Sequence, residues 1–425
     1  MSSVVELPLW FVILAGVFAA IALAERALIP SVRWYLRRRA EKLIARLNER
    51  LERPIEPFKL ARRFDTIQRL IYDRDVLAAV AEHARDQGVP EDVAFEDARR
   101  YAREIVPSFS AFTYFKLGTR GARWLSRALY RVRLTHYDLA LSNVPPDATV
   151  VFVMNHRSNM DYVLITHLAS ERSALSYAVG EWARIWPLSR LIRMMGAYFI
   201  RRKSRTALYR RVLDRYVQMA TEAGVTQAIF PEGGLSLDGR LAPPKVGLLA
   251  YVLKAYVPGG RDIVFVPVAL NYDRVLEDRM LIAADQAGER RFRGSIWEVL
   301  GFLGRQIKLR LTGGFHRFGY AAVSFGEPLA VSTYGEAVPG AEVLAGELMA
   351  RIGAVVPALP VPLVAGLLMQ EDGLSRETLV QRFAERVAQL PEASRHVPRD
   401  DPAYGAEVGL RMLTLRNLVR VQDGR

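Results

Sequence analysis

The residues best suited to catalysis lie together in the segment NHRSNMD at positions 155–161, directly after a short apolar run. In a continuous helix, residues five apart point about 140° away from each other. His156 and Asp161 can therefore meet only if the histidine lies in a loop and the aspartate in the helix that follows. A carboxylate fixes the tautomer of an imidazole and stabilises its protonated form. The spacing thus predicts a general base that works near neutral pH.

A second segment, FPEGG at 230–234, also ends an apolar run. It places Glu232 before Gly233 and a further glycine, and glycines allow the backbone to approach a ligand closely. The alternative interpretation is an ordinary turn. The segment alone favours the turn, and its position beside the 155–161 segment favours a binding loop.

Basic residues gather in the same half of the chain. The segment GAYFIRRK at 196–203 delivers Arg201 and Arg202 at the end of an apolar run, and PPKVG at 243–247 contains Lys245. Arginine binds phosphate through a planar fork, and lysine binds it as a point charge. The pattern predicts an anionic substrate, although part of this charge fits an ordinary solvated helix face.

These segments are positioned by alternating strands and helices, which is typical of an α/β layer architecture from about 146 to 335. The predicted strands are short and β-branched, at Thr149–Met154, Ala197–Ile200, Gln227–Phe230, Ile263–Leu270 and Ala321–Phe325. The predicted helices between them include Tyr162–Ser170, Thr206–Glu222 and Lys245–Tyr256. The candidate residues follow strands, where α/β proteins bind their ligands.

The N-terminus carries an uncharged apolar run, Leu7–Ala24, which just reaches the length that crosses a hydrocarbon core. Residues 31–63 are basic with scattered apolar positions. By the positive-inside bias, this predicts a membrane anchor over 1–30, with the rest of the protein on the cytoplasmic side of the inner membrane. The alternative is a helix embedded in the membrane surface or buried in a core.

Composition narrows the classes of function. The 425 residues include no Cys, 51% hydrophobic residues and a net charge of +14. The absence of Cys excludes disulfides, thiolate metal sites and cysteine nucleophiles. The basic excess allows nucleic acid, an anionic membrane surface or phosphorylated substrates as partners. The basic excess lies in residues 31–144, beside the apolar run, and in residues 145–335, around the candidate site. No nucleic-acid-binding motif is evident.

In their residues and in their order along the chain, these segments resemble the motifs of the glycerolipid acyltransferases, and specifically of their glycerol-3-phosphate 1-O-acyltransferase branch. Four motifs carry the resemblance: NHRSNMDY at 155–162, GAYFIRR at 196–202, FPEGG at 230–234, and VPV at 266–268 followed by Asn271 and Tyr272. Further similarities are PPKVG at 243–247, FGEP at 325–328 and the apolar PVPLVAGLL at 360–368. One departure is Leu235, where the family usually carries an arginine.

The resemblance implies that His156 is the general base and Asp161 orients it. It further implies that Glu232 and Gly233 hold the glycerol backbone, with Arg201 and Lys245 as ligands of the acceptor phosphate. The remaining substrate-binding candidates carried over from the motifs are Arg157, Ser158, Gly196, Phe199, Arg202 and Pro267. No cofactor or metal is implied, because a base and oxyanion stabilisation suffice for acyl transfer from a thioester.

The implied reaction moves a fatty acyl chain from acyl-CoA or acyl carrier protein to the 1-hydroxyl of glycerol 3-phosphate, the first step of phospholipid synthesis. The implied fold is α/β, with a central mixed sheet flanked by helices. We expect an anchor helix (1–30), a basic helical region (31–145), a catalytic domain (146–335) and a C-terminal helical region (336–425).

Alternatives remain at this point. The acceptor could be lysophosphatidate, dihydroxyacetone phosphate or, given Leu235, a non-phosphorylated amphiphile. Outside the enzyme class, the chain could be a membrane-tethered nucleic-acid-binding protein or a catalytically silent lipid-binding scaffold. The expected partners are membrane lipids, the acyl donor and the phosphorylated acceptor, with no nucleic acid.

Overall fold

A computed structural model describes residues 8–135, 137–142, 144–169, 173–180, 188–201, 206–288, 304, 308, 311–312, 317–371 and 373–422. The chain divides into two compact units, Met1–Pro54 and Ile55–Arg425. The second unit includes everything from the helices that begin near residue 57 to the C-terminal helices. The finer division predicted at residues 30, 145 and 335 stays a prediction.

The first unit contains one long helix, α1, over Leu9–Asn48, where the sequence predicts an apolar anchor and a basic helix. Among the described residues, no helix combines the length and apolar character needed to cross a membrane. The predicted spanning helix is therefore not found in that part of the chain.

The second unit is built on a mixed sheet with the strand order β1-β7-β6-β2-β5-β3-β4, in which β8 pairs with β6. Its strands are β1 (Arg131–Thr135), β2 (Thr149–Met154), β3 (Ser176–Gly180), β4 (Tyr198–Ile200), β5 (Gln227–Ile229), β6 (Ile263–Tyr272), β7 (Tyr320–Phe325) and β8 (Leu329–Ala330). Strands β6, β2, β5, β3 and β4 run parallel, and β7 runs antiparallel to β6. The carboxyl ends of the five parallel strands therefore share one edge of the sheet.

Helices surround this sheet. Before β2 they are α2 (Pro57–Leu60), α3 (Arg63–Ile71), α4 (Arg74–Gln87), α5 (Glu91–Ile105), a π-helical turn (Thr113–Gly118), α6 (Thr119–Leu129) and α7 (Tyr137–Ser142). Between β2 and β7 they are α8 (Met160–Ala169), α9 (Leu188–Met194), α10 (Ala207–Glu222), α11 (Gly247–Leu253) and α12 (Asp278–Gln286). After β8 a 3₁₀ turn (Val331–Tyr334) precedes α13 (Ala341–Ala354), α14 (Pro360–Leu368), α15 (Arg376–Ala388) and α16 (Pro402–Leu415), with short 3₁₀ turns at Glu392–Ser394 and Pro398–Asp400.

Both faces of the sheet are covered, as the continuous apolar runs of the central strands predict. Along β2, Val151 and Val153 belong to the apolar core on one face, while Val150, Phe152 and Met154 belong to the core on the other. Successive strand side chains point to opposite faces, so one strand contributes to both cores. The centre of the sheet is thus held rigidly, and so is the loop that follows β2.

The predicted α/β class and mixed sheet are confirmed, and each strand predicted from the sequence is present within three residues at either end. Strands β1, β3 and β8 were not predicted. β1 lies in a basic segment with half-exposed positions, and β8 has only two residues, so neither carries a clear apolar pattern. Helix α10 begins after Thr206, whose side chain accepts the Tyr209 N–H as an N-cap.

Candidate active site

His156 and Asp161 meet, as the strand–loop–helix arrangement predicts. The histidine lies in the loop after β2 and the aspartate in the first turn of α8, and the two are 97% or more buried. His156 Nδ1 lies 2.8 Å from Asp161 Oδ2. Because an ionised carboxylate can only accept, Nδ1 carries the proton and Nε2 keeps its lone pair. The pair is therefore arranged to take a proton at Nε2.

Asp161 is held by more than the histidine. Its Oδ2 also accepts the backbone N–H groups of Arg157, at 2.7 Å, and Ser158, at 3.0 Å. Its Oδ1 accepts the hydroxyl of Tyr272 at 2.6 Å. Burial, together with the charge of Asp161, raises the pKa of Tyr272 well above its ordinary value, so the hydroxyl remains a donor. Tyr272 belongs to the fourth motif, but sequence reasoning assigned it no role.

A second carboxylate, Glu277, supports the same loop from the segment after β6. It accepts the Ser158 hydroxyl at 2.7 Å and the Asn159 N–H at 3.1 Å. Ser158 Oγ in turn accepts the Met160 N–H at 3.1 Å, which caps the start of α8. Burial raises the pKa of Glu277, and these donors counteract part of that rise. Sequence reasoning missed Glu277 because it lies outside every motif, five residues after Tyr272, and carries no local signature.

Glu232 joins the loop of the third motif, at 230–234, to the loop of the first. Its Oε1 accepts the His156 backbone N–H at 2.8 Å, and its Oε2 accepts the Ala242 N–H at 3.0 Å. The Ser236 N–H donates to the His156 carbonyl at 2.9 Å. Both carboxylate oxygens of Glu232 are thus engaged by backbone donors, so in this structure the side chain fixes the loops. Its predicted contact with glycerol stays a prediction.

Two cations adjoin these loops: Lys245 contacts the third-motif loop, and Arg157 follows His156 in the chain. The Lys245 N–H donates to the Pro231 carbonyl at 2.7 Å, and a Cβ at Gly233 would lie 2.7 Å from Lys245 Cδ. Gly233 has φ +66°, so this turn needs glycine for two reasons. Arg157 is half-buried, and its buried Nε has no hydrogen-bond partner among the described residues. Burial lowers the pKa of Arg157.

Aromatic rings cover the histidine. The Phe230 ring lies 4.3 Å from the His156 ring between centroids, tilted by 33°, and Tyr162 approaches the same ring edge-on at 5.3 Å. These contacts fix the orientation of the imidazole plane, in addition to the hydrogen bond at Nδ1. They also lower the dielectric around the imidazole, which strengthens its interactions with nearby charge.

Arg201 is placed differently from its prediction. Its guanidinium pairs with Glu104 of α5, through Nε at 2.9 Å and Nη2 at 2.7 Å, and lies over the rings of Tyr101 and Tyr209. The pairing with Glu104 raises the pKa of Arg201. In this structure the side chain joins the helical layer to β4, and phosphate would have to compete with Glu104 for it. Arg202 lies outside the described residues.

The remaining predicted residues have backbone or packing roles in this structure. Gly196 has φ +87°, and a Cβ there would lie 3.0 Å from Lys59 Cε. Phe199 is fully buried within β4. Pro267 lies in β6 opposite Val153 of β2, and its carbonyl accepts the Gly326 N–H at 2.8 Å. None of these side chains contacts His156 among the interactions of the described residues.

Comparison with known proteins identifies the family. Residues 139–271, which contain β2, His156, Glu232 and almost all of β6, match the family model described as Acyltransferase. The chain carries a domain of the acyltransferase family.

The curated relatives of this chain include two bacterial proteins named glycerol-3-phosphate acyltransferase. That of Aeromonas hydrophila subsp. hydrophila is 30% identical over 373 residues, which is 81% of this chain and 45% of the relative. That of Xanthomonas campestris pv. campestris is 31% identical over 335 residues, 71% of this chain and 36% of the relative. The predicted resemblance is confirmed, and the chain spans less than half the length of these relatives.

Among solved structures, the chain is similar to the 1-acyl-sn-glycerophosphate (LPA) acyltransferase PlsC of Thermotoga maritima. The sequence identity is 19%, with 56% of this chain and 75% of that chain covered, and the TM-score is 0.34. A likeness at that score carries no weight for the choice of acceptor. The site residues of this chain must therefore be judged from their own geometry.

Proposed function

We propose that this chain transfers a fatty acyl group from a thioester, acyl-CoA or acyl carrier protein, to the 1-hydroxyl of glycerol 3-phosphate. The observation that supports this most is the buried His156–Asp161 pair at the carboxyl end of β2. The relatives named glycerol-3-phosphate acyltransferase support the acceptor. The product would be lysophosphatidate, at the first step of phospholipid synthesis.

In the proposed reaction, Nε2 of His156 removes the proton from the acceptor hydroxyl as its oxygen attacks the thioester carbonyl. Asp161 stabilises the imidazolium that forms. The tetrahedral intermediate then collapses, the carbon–sulfur bond breaks, and the thiol leaves with the proton from the imidazolium. Ester and free thiol are the products, with no acyl-enzyme, and the histidine returns to its neutral form.

Arg157 and Lys245 are the cations that we assign to the acceptor phosphate in this proposal. Arg157 follows the base directly, and its buried Nε has no hydrogen-bond partner in the part of the chain that the structure describes. The side chain of Lys245 crosses Gly233 beside the Glu232–His156 hydrogen bond. Leu235 contributes no charge, so these two cations would replace the arginine that the family usually carries there.

A panel of acceptors tests the proposal. Purified protein is given radiolabelled acyl-CoA or acyl carrier protein with glycerol 3-phosphate, lysophosphatidate, dihydroxyacetone phosphate or an uncharged amphiphile. We expect glycerol 3-phosphate to be acylated, and His156→Ala to lose about 10²–10⁴-fold in kcat/KM. His83→Ala, on α4, is the matched control and should keep full activity.

Full activity in His156→Ala would overturn the mechanism, as would the absence of acylation of any acceptor. A preference for lysophosphatidate would overturn only the choice of acceptor. Salt-sensitive DNA or RNA binding that survives His156→Ala, in a protein without transferase activity, would support the nucleic-acid alternative.

Arg201 has its own test, because its pairing with Glu104 predicts a structural role. If that role is its only one, Arg201→Ala and Glu104→Ala should each lower the stability of the fold. Each variant should then change the KM for glycerol 3-phosphate and the KM for the thioester by the same factor. If Arg201 binds phosphate, Arg201→Ala should raise KM for glycerol 3-phosphate far more than KM for the thioester. Glu104→Gln, which releases the guanidinium, should then leave the acceptor KM unchanged or lower.

Membrane lipids and a cytoplasmic location at the inner membrane are also part of the proposal. The support is chemical: the donor and the product both carry a fatty acyl chain, and the net charge of +14 suits anionic lipids. Separation of cell membranes from the soluble fraction, with proteolysis from either side, tests both points.

A further inference from the structure

One helical face of the second unit exposes aromatic and basic side chains together. It runs along the π-helical turn Thr113–Gly118 and α6, with Phe112 directly before the turn. We call it the basic-aromatic stripe and define it by the exposed side chains of Phe112, Lys116, Leu117, Arg120, Trp124 and Arg127. Its apolar members are among the most exposed of the unit: Trp124 is 67% exposed, Phe112 63% and Leu117 59%.

The stripe has the periodicity of a single helix face. Its positions are separated by three or four residues, with Leu117 beside Lys116, and such positions lie above one another on a helix. The opposite face is buried, as at Tyr114, Ala122 and Ser126. That buried face is directed toward α8, the helix that carries Asp161 in its first turn. The stripe is therefore the outer surface of an element that packs behind the catalytic loop.

The charge of this surface has one sign. Between Glu104 and Asp138 the chain has six Lys and Arg and no acidic residue. Arg120 and Arg127 make no ion pair with the residues that the structure describes, and Lys116 lies over the Phe112 ring at 5.1 Å. An ordinary solvated helix face looks different, and α5 provides an example, where Arg99 pairs with Glu96 and Arg100 with Asp97.

We propose that the basic-aromatic stripe binds the surface of an anionic lipid bilayer, with Phe112, Leu117 and Trp124 in the interface and the cations among the headgroups. Aromatic rings are favoured at the boundary between headgroups and acyl chains, and each nearby Lys or Arg adds attraction to anionic lipid. The interleaving of apolar and basic residues on one face is typical of helices that lie in that boundary.

This inference deepens the lipid partnership of the proposed function, because it assigns that partnership to a particular surface of the catalytic unit. A nucleic acid would also satisfy the cations, and it would stack on the rings. A probe attached to the stripe would enter an apolar environment on a lipid bilayer but not on a nucleic acid, so such a probe distinguishes the two partners.

The absence of native Cys makes a local test possible in the full chain. Gly121 is exposed and lies between Arg120 and Trp124 of the stripe. A Cβ there meets nothing within 4 Å, so Gly121→Cys accepts an environment-sensitive fluorophore. Arg100→Cys, on the exposed face of α5, is the matched control. Each labelled protein is mixed with phosphatidylcholine vesicles that contain or lack phosphatidylglycerol and carry a lipid spin label.

We expect the label at 121 to shift to the blue and to be quenched by the spin label in phosphatidylglycerol vesicles, with high salt reversing both. The label at 100 should show neither effect, whatever other part of the chain contacts the vesicle. The double variant Arg120→Glu with Arg127→Glu should need a lipid concentration at least about tenfold higher for half-maximal quenching at 121. Circular dichroism checks that the variants are folded.

No quenching at 121, or equal quenching at 100, would overturn the proposal. So would a response to RNA oligonucleotides that exceeds the response to vesicles. Acyl transfer to water-soluble glycerol 3-phosphate in detergent is measured in parallel with the charge-reversed variant. If the charge-reversed variant retains acyl transfer but loses the quenching, the stripe is a surface separate from the active site. If the unaltered chain shows no acyl transfer, only the proposed function is overturned.

Discussion

Two buried aspartates, Asp161 in the first turn of α8 and Asp273 directly after β6, have different partners. The difference shows how a carboxylate placed for the proposed catalysis differs from a structural one. Asp161 accepts from His156, from two backbone N–H groups and from the Tyr272 hydroxyl. Asp273, next in the chain to that tyrosine, accepts the backbone N–H groups of Tyr320, at 2.7 Å, and Val361, at 2.9 Å, and no other donor among the residues that the structure describes. Asp161 therefore pairs with an imidazole, whereas Asp273 accepts from backbone groups.

The difference lies in what each carboxylate connects. Asp161 pairs with the His156 imidazole, the base of the proposed reaction, and its other hydrogen bonds hold the carboxylate in place there. Asp273 joins β7 to the N-terminus of α14, where the Val361 N–H is a donor that the helix leaves unpaired. Burial raises the pKa of Asp273 to about 6, because two backbone donors offset only part of the desolvation. Burial by itself thus does not mark a catalytic residue.

The largest expected effect separates the two aspartates by activity. Asp161→Asn should lower kcat/KM by about 10²–10⁴-fold, because a neutral amide does not stabilise the imidazolium. Asp273→Asn should leave kcat/KM within a few-fold of the unaltered protein, since Asp273 contacts no reacting group. Steady-state kinetics on both variants, with thermal unfolding as the check on folding, makes the comparison. Similar losses in both variants would contradict it.

The next effect is the pH dependence of stability, which is expected from Asp273. The pKa of Asp273 is raised in the folded state from an ordinary value of 3.8 to about 6. The folded chain then holds this proton more tightly than the unfolded chain, so stability falls as pH rises through that window. The contribution is about 3 kcal/mol, lost between pH 4 and 6 and constant above.

The measurement is denaturant unfolding of the unaltered protein and Asp273→Asn from pH 4 to 7. Because Asn does not titrate, the variant should lack this part of the slope, although it is less stable overall after losing one acceptor. Parallel curves for the two proteins would show that Asp273 does not carry the effect.

The smallest effect concerns Tyr272, which contacts Asp161 and precedes Asp273. Its hydroxyl donates to Asp161 Oδ1 and helps hold that carboxylate against His156. Tyr272→Phe should therefore lower kcat/KM by about tenfold at most, the size of one hydrogen bond to a charged group. Phe318→Leu, which alters the same aromatic cluster without touching Asp161, is the control. Unchanged steady-state kinetics in Tyr272→Phe would show that this hydrogen bond does not position the carboxylate.

Much of the site follows from the sequence, and the reasons are local. The meeting of His156 with Asp161 needs only a strand, a loop and a helix in succession, and each has its own pattern over a few residues. Glu277 could not be found that way, because it reaches Ser158 across 119 positions of the chain. Arg201 shows the converse: its type and position predict phosphate binding, while its partner Glu104 lies 97 positions away.

The sequence by itself determined the α/β class, the strands that end at the motifs, and the His156–Asp161 pair, because side-chain periodicity and the order of elements act over short distances. Tertiary structure alone decided which polar groups these residues meet. Glu232 reaches the His156 backbone, Asp161 gains the Tyr272 hydroxyl, and Asp273 caps α14 only because the sheet places distant segments side by side. Each buried polar group must find a partner, and the fold as a whole determines which partner is near.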